Sequence, residues 1–178
     1  MTREIWSAGH SNRSGDELVE LLRGAGILCV ADVRRFPVSR RFPQHSRERL
    51  APTLARAGIA YEFLGDALGG RREPEEPVER SKNGAWREPA LRAFADALDS
   101  PELLAGLEAL ETLAQARATA FLCAERDWRD CHRQIVADAL LVRGWQVVHL
   151  IRPAECETHR LHPSARSAGG SLSYPALL

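Results

Sequence analysis

The sequence predicts an α/β fold: a mostly parallel five-stranded sheet with helices on both faces, in three layers. Three observations carry this. Short apolar runs alternate with segments whose apolar residues recur at i, i+3, i+4 and i+7. Glycines close the helical segments, as left-handed C-terminal positions require. The 178-residue length suits one domain over residues 1–178 and can bury a sizeable core.

Ile5 to Gly9 reads as the first strand, stopping at His10-Ser11-Asn12-Arg13. A helix starts near Ser14 or Asp16, with Leu18, Leu21, Leu22 and Ala25 on one face, and ends at Gly24 and Gly26. Ile27 to Val33 is the second strand. Residues 34–47 form a basic loop with two Phe-Pro pairs that argue against a helix there. Ser46 caps the next helix, and Pro52 either kinks it or marks its true start. Ile59 to Leu64 is the third strand. Residues 65–87, rich in Gly, Pro and charge, read as an irregular excursion with few apolar anchors, mobile in the absence of ligand. Leu91, Phe94, Ala95 and Leu98 mark one helix, and Ser100-Pro101 opens another. Thr119 to Cys123 is a buried strand, and Ile135, Val136, Ala139 and Leu140 lie on one face of the helix that follows. Trp145 to Ile151 is the last strand, and residues 152–178 read as an extended tail. The alternation gives a Rossmann-like arrangement.

In such a sheet every loop leaving a strand's carboxyl end lies on one rim, where ligands bind. Those loops hold His10 to Arg13, Arg34 and Arg35, Gly65 to Arg72, Cys123 to Arg133, and Arg152. The candidates for acid–base or nucleophilic chemistry are His10, Asp32, Cys123, Glu125 and His132. Those for holding a ligand are Ser11, Asn12, Arg13, Arg34, Arg41, Gly70, Arg71, Arg129, Cys131 and Arg133. Guanidinium forks match phosphate or carboxylate oxygens in bidentate fashion, so the rim calls for an anion. Asp32, near the end of a buried strand, needs a partner, and a structural ion pair is the favoured reading. Cys123 and Arg129 fit the C-x5-R spacing of cysteine phosphatases, but the loop lacks the glycines that let a backbone wrap an oxyanion. Burial and the nearby Glu125 both oppose a Cys123 thiolate, so this thiol is expected to react slowly. Trp6 and Trp145 read as core. Trp86 and Trp128, in polar loops, are free to stack on a ring or base. Cys29 and His149 read as core residues.

Basic and acidic residues number 24 each, which excludes a chain-wide polybasic surface but not a local basic cleft. The four cysteines are too few and scattered for a disulfide scaffold. No signal peptide opens the chain and no apolar run approaches a membrane span, which points to a reducing cytoplasm and no membrane partner. A zinc site on Cys131, His132, Cys156 and His159 is a minor alternative, since the spacing matches no standard finger or ribbon.

GHSNR at 9–13, ADVRRFPVSRRFPQ at 31–44, LGGRR at 68–72, CAERDWRDCHR at 123–133 and HRLHPSAR at 159–166 resemble the family called domain of unknown function 488. The resemblance implies a single α/β domain and, by motif, a site drawn from His10, Ser11, Arg13, Asp32, Arg34, Glu125, Cys131, His132 and Arg133. It implies no reaction. The layout of ADVR after a strand, followed later by strand, cysteine, loop and helix, is also similar to rhodanese sulfurtransferases at the level of the fold.

The leading expectation is a protein that binds a phosphate-bearing small molecule, nucleotide or nucleic-acid end at the strand rim. One alternative is a sulfur- or phosphoryl-transfer enzyme with Cys123 as nucleophile. Another is a non-catalytic module docking an acidic partner.

Overall fold

Five parallel strands and one antiparallel edge strand form a six-stranded sheet in the computed structural model, which describes residues 3–176. In chain order the strands are β1 (Arg3–Gly9), β2 (Cys29–Asp32), β3 (Ala60–Phe63), β4 (Thr119–Cys123), β5 (Trp145–Arg152) and β6 (Glu155–Thr158). Across the sheet they run β3-β2-β4-β1-β5-β6. The sixth strand corrects the five-stranded expectation. It turns back at Ala154, whose φ is 61°, and pairs antiparallel with β5. Its residues, ECET, are mostly exposed at the sheet edge, so they carry no apolar alternation for a sequence reading to find.

Six helices connect the strands: α1 (Gly15–Gly24), α2 (Arg47–Arg56), α3 (Gly65–Leu68), α4 (Pro89–Asp96), α5 (Pro101–Ala116) and α6 (Arg133–Val142). A capping box starts α1: Glu17 N–H donates to the Ser14 hydroxyl, and Ser14 N–H donates to the Glu17 carboxylate. The Ser100 hydroxyl accepts from Leu103 N–H at the start of α5. Pro52 lies inside α2, which begins at Arg47.

Successive strand residues point to opposite faces. Ala8, Val30, Ala120, Leu122 and Leu150 join α1 and α2 in one apolar cluster. Ile5, Ala31, Phe121, Cys123 and Val147 join α3 to α6 in the other.

Beyond residue 151 the chain is tied to the rest of the fold. A short ribbon pairs β7 (Arg166–Ala168) with β8 (Ser171–Ser173) across Gly169 and Gly170, with φ of 57° and 84°, as a tight hairpin turn requires. Tyr174 and His159 are buried, and both bond to the carboxylate of the fully buried Asp138 on α6. That carboxylate only accepts, so His159 Nε2 carries a hydrogen. In the neutral ring, His159 Nδ1 then accepts from His149 Nε2 at 3.0 Å, and His149 Nδ1 accepts from Ser7 Oγ at 2.6 Å. The network joins α6, the C-terminal segment, β5 and β1.

The 65–87 segment is anchored at both ends. Leu68 is fully buried at its start, and Asn83 and Trp86 are buried near its end. Between them, residues 73–80 are exposed. Trp86 and Trp128 are not free to stack on a ligand. Trp86 packs against Tyr174 and His162, and Trp128 stacks on His149 with ring centroids 4.1 Å apart. A large aromatic gains more from burial than from exposure, so the polar loops fold back to cover their tryptophans. Trp145 is buried as expected, and Trp6 is half-buried.

Candidate functional site

The carboxyl ends of β2, β4 and β1 lie side by side, and their loops enclose a cleft of about 920 Å³. His10, Ser11 and Asn12 line it from the β1 loop, and Arg34, Arg35 and Arg41 from the β2 loop. Gly70 and Arg71 follow α3. Cys123, Glu125, Arg126, Cys131 and His132 come from the β4 loop. Residues from four separate stretches thus share one wall-and-floor arrangement.

The β1 loop is held by continuing the ladder: His10 N–H donates to Cys123 O and Ser11 N–H to Ala124 O. Ser11 takes a positive φ of 50° at the turn. The two strand ends meet closely at Gly9, where a Cβ would fall 1.8 Å from Glu125 O. Arg133, 1 % exposed, closes that junction by donating to Glu125 O at 2.6 Å and to Ser7 Oγ at 3.4 Å.

Asp32 and Arg34 form a buried ion pair at 2.6 Å, and the Tyr61 hydroxyl also donates to Asp32. Asp32 is fully buried and behind the cleft wall. Arg34 further donates to His45 O at 2.8 Å and to His10 Nε2 at 3.1 Å. His10 Nδ1 lies 3.0 Å from Ser11 O, an acceptor, so Nδ1 carries the hydrogen and Nε2 the lone pair. Burial, with the Arg34 charge, pushes the His10 pKa down to about 3. Both ring nitrogens are therefore committed, and the ring stacks on buried His45 at 4.2 Å.

At the floor His132 Nε2 lies 3.0 Å from Val33 O, which can only accept. Nε2 therefore carries a hydrogen, and Nδ1 faces two thiols: Cys131 Sγ at 3.6 Å and Cys123 Sγ at 3.9 Å. The Cys123 thiol donates to Glu125 Oε2 at 2.9 Å. The ring packs closely on Gly70, where a Cβ would sit 2.3 Å from it, and makes a T-shaped contact with Phe94. The neighbouring Cys131 sulfur, then burial, pushes the Cys123 thiol well up. Burial opposes ionisation of Cys131, but the neighbouring Cys123 and the His132 ring outweigh it and bring this thiol well down. A thiol enzyme built on Cys123 would need the sulfur that is here held protonated.

Several candidates lie outside the cleft. Arg13 donates to Gly9 O and to Ile151 O, Arg133 is spent on the loop backbone, and Arg129 pairs with Glu157 at 2.6 Å and with Asp127. Each of these guanidinium groups meets carbonyl or carboxylate oxygens of the chain itself. With Arg129 turned to Glu157, the C-x5-R pattern does not close on Cys123. The four residues of the zinc alternative do not converge: Cys156 is exposed on β6, and His159 is committed to His149 and Asp138. Conversely, the sequence reading missed His45, the cleft-lining Phe36, Val38 and Phe42, and Glu88 and Leu91 at the start of α4. The basic Phe-Pro loop was the available signal for the first group. Nothing local marks α4 as a cleft wall.

Residues 14–140 match the family described as "Domain of unknown function DUF488". That span contains the ADVRRF, LGGRR and CAERDWRDCHR segments, whereas GHSNR and HRLHPSAR fall outside it. No curated protein and no solved structure matches the chain.

Proposed function

The chain belongs to the DUF488 family, whose description names no activity, and we propose from the site itself that it binds a phosphate-bearing nucleotide or nucleic-acid end in this cleft. One observation carries the reading. Among the described residues, the cleft arginines Arg41 and Arg71 meet no carboxylate and no other hydrogen-bond acceptor of the chain, whereas Arg35 donates to Asp66 O and Arg126 to Asn12 Oδ1. The charges of Arg41 and Arg71 are left to an incoming anion, and the two residues line the cleft from different segments, one after β2 and one after α3. Beside them Phe36 is 63 % exposed and Val38 68 %. Large apolar side chains at the mouth of a basic cleft suit a ligand that pairs phosphate with a planar ring. His10 and Arg34 act in this reading as a rigid wall, since their hydrogen bonds are already made.

The test is isothermal titration with inorganic phosphate, nucleoside mono- and triphosphates, and short 5′-phosphorylated DNA and RNA. A ligand of the native state also raises the melting temperature. Arg41→Ala and Arg71→Ala should each weaken binding by about 10- to 100-fold, the size of one charge-assisted hydrogen bond. Affinity should fall with salt, most steeply for the nucleic-acid ligands. No binding by any of these ligands at low salt, or binding untouched by both substitutions, would refute the reading.

A further inference from the structure

We propose that Cys123, Cys131 and His132 form a zinc site at the floor of the cleft, with the remaining coordination position open to it. Their donor atoms lie within 4.8 Å of one another, although Cys123 ends β4 and the other two stand before α6. In a tetrahedral zinc site, bonds of about 2.3 Å to sulfur and about 2.0 Å to nitrogen put neighbouring sulfur and nitrogen ligands roughly 3.5 Å apart. The two sulfur-to-Nδ1 distances here are 3.6 Å and 3.9 Å.

The surroundings match as well. A ligating histidine needs its free nitrogen aimed at the metal and its other N–H fixed by an acceptor. His132 Nε2–H is fixed by Val33 O, and the ring packs so closely on Gly70 that a Cβ there would sit 2.3 Å from it. The Arg133 backbone N–H approaches Cys131 Sγ at 3.5 Å, in the manner of a hydrogen bond to a metal thiolate. Two sulfurs and one imidazole favour zinc over magnesium or calcium, which take oxygen. Binding displaces the protons held by the two sulfurs and the ring nitrogen that faces them to solvent, and two thiolates with a neutral imidazole balance the charge of the ion. All three ligands line the cleft, as does the Glu125 carboxylate. The open position thus faces an oxygen donor, either water or an oxygen of a cleft ligand, with Glu125 placed to accept a hydrogen bond from water there. Three protein ligands and one open position is the pattern of catalytic rather than structural zinc.

The test uses the reduced full chain, stripped with chelator and titrated with cobalt(II) and then zinc. Cobalt should give a thiolate charge-transfer band and intense tetrahedral d–d bands that saturate at one equivalent, and zinc should displace it. Cys123→Ser and Cys131→Ser should each weaken the charge-transfer band, and the double variant should abolish it. Cys156→Ser, on the exposed edge strand, should leave it intact. Circular dichroism of each apo variant separates a lost ligand from a lost fold. A second readout needs no variant: zinc should protect Cys123 and Cys131 from iodoacetamide while Cys156 labels freely, as mass spectrometry reads per cysteine. A fully reduced wild-type chain without a cobalt–thiolate band would overturn the proposal. So would a band that survives in the folded double variant, or disulfide formation between the two cysteines in place of metal uptake. The arginine variants above leave these ligands untouched, so failure of phosphate binding and failure of zinc binding are separate results.

Discussion

At the scale of single residues, the cleft depends on polar side chains that never meet a ligand. Asp32 is the clearest case. It is fully buried, and it accepts from the Arg34 backbone N–H, from the Arg34 guanidinium and from the Tyr61 hydroxyl. Two buried charges offset each other's desolvation only while both are present. Asp32→Ala should therefore cost about 3–5 kcal/mol, because it strands a buried guanidinium. Replacing Arg34 as well should recover part of that loss. Urea unfolding of both singles and the double variant measures it, and additive losses would mean that the pair is not coupled.

Elements impose a second kind of constraint. The segment after β5 has few apolar residues, yet it covers Asp138 with His159, Tyr174 and the His162 backbone. The pairing of β6 with β5 puts His159 in reach, and the β7–β8 ribbon brings in Tyr174. Tyr174→Phe removes one donor from a buried carboxylate and should destabilise the chain by about 1–3 kcal/mol, read as a lower urea midpoint. Because Tyr174 is buried and does not line the cleft, phosphate-ligand affinity should not change. A drop in affinity equal to that of the arginine variants would show that the C-terminal segment reaches the site.

For the whole molecule, buried neutral histidines set the pH dependence. His149 faces Ser7, His159, Trp128 and the charges of Arg133 and Arg129; burial first, then His159, pushes its pKa down to about 2. His10 faces Arg34, His45, Asp32 and the Ser11 carbonyl, and its pKa is pushed down to about 3. Both folded values lie below the ordinary 6.5, so the unfolded chain binds more protons at acid pH. Their contribution is complete above pH 6.5 and is lost as pH falls toward 3. At about pH 5 each neutral ring should cost the fold about 2 kcal/mol relative to neutral pH. The site-specific check is nuclear magnetic resonance: in the folded chain both rings should keep neutral carbon shifts at about pH 5. Titration of either near its ordinary pKa would contradict the burial argument.

The alternation of strands and helices, the capping residues Ser14 and Ser100, and the buried strand Thr119–Cys123 were all legible in the sequence, because periodicity and capping are local. So was the gathering of His10, Arg34, Glu125 and His132 on one cleft, since parallel strands send their following loops to one edge. Which arginines stay free for a ligand was not legible. Arg13, Arg129 and Arg133 look like Arg41 and Arg71 in sequence. They differ only because a carbonyl or carboxylate from elsewhere in the chain happens to stand within hydrogen-bond reach. The same holds for the two thiols and the imidazole at the cleft floor, and for the edge strand β6. Side-chain direction and long-range hydrogen bonding decide these, and both exist only once the strands have taken their order.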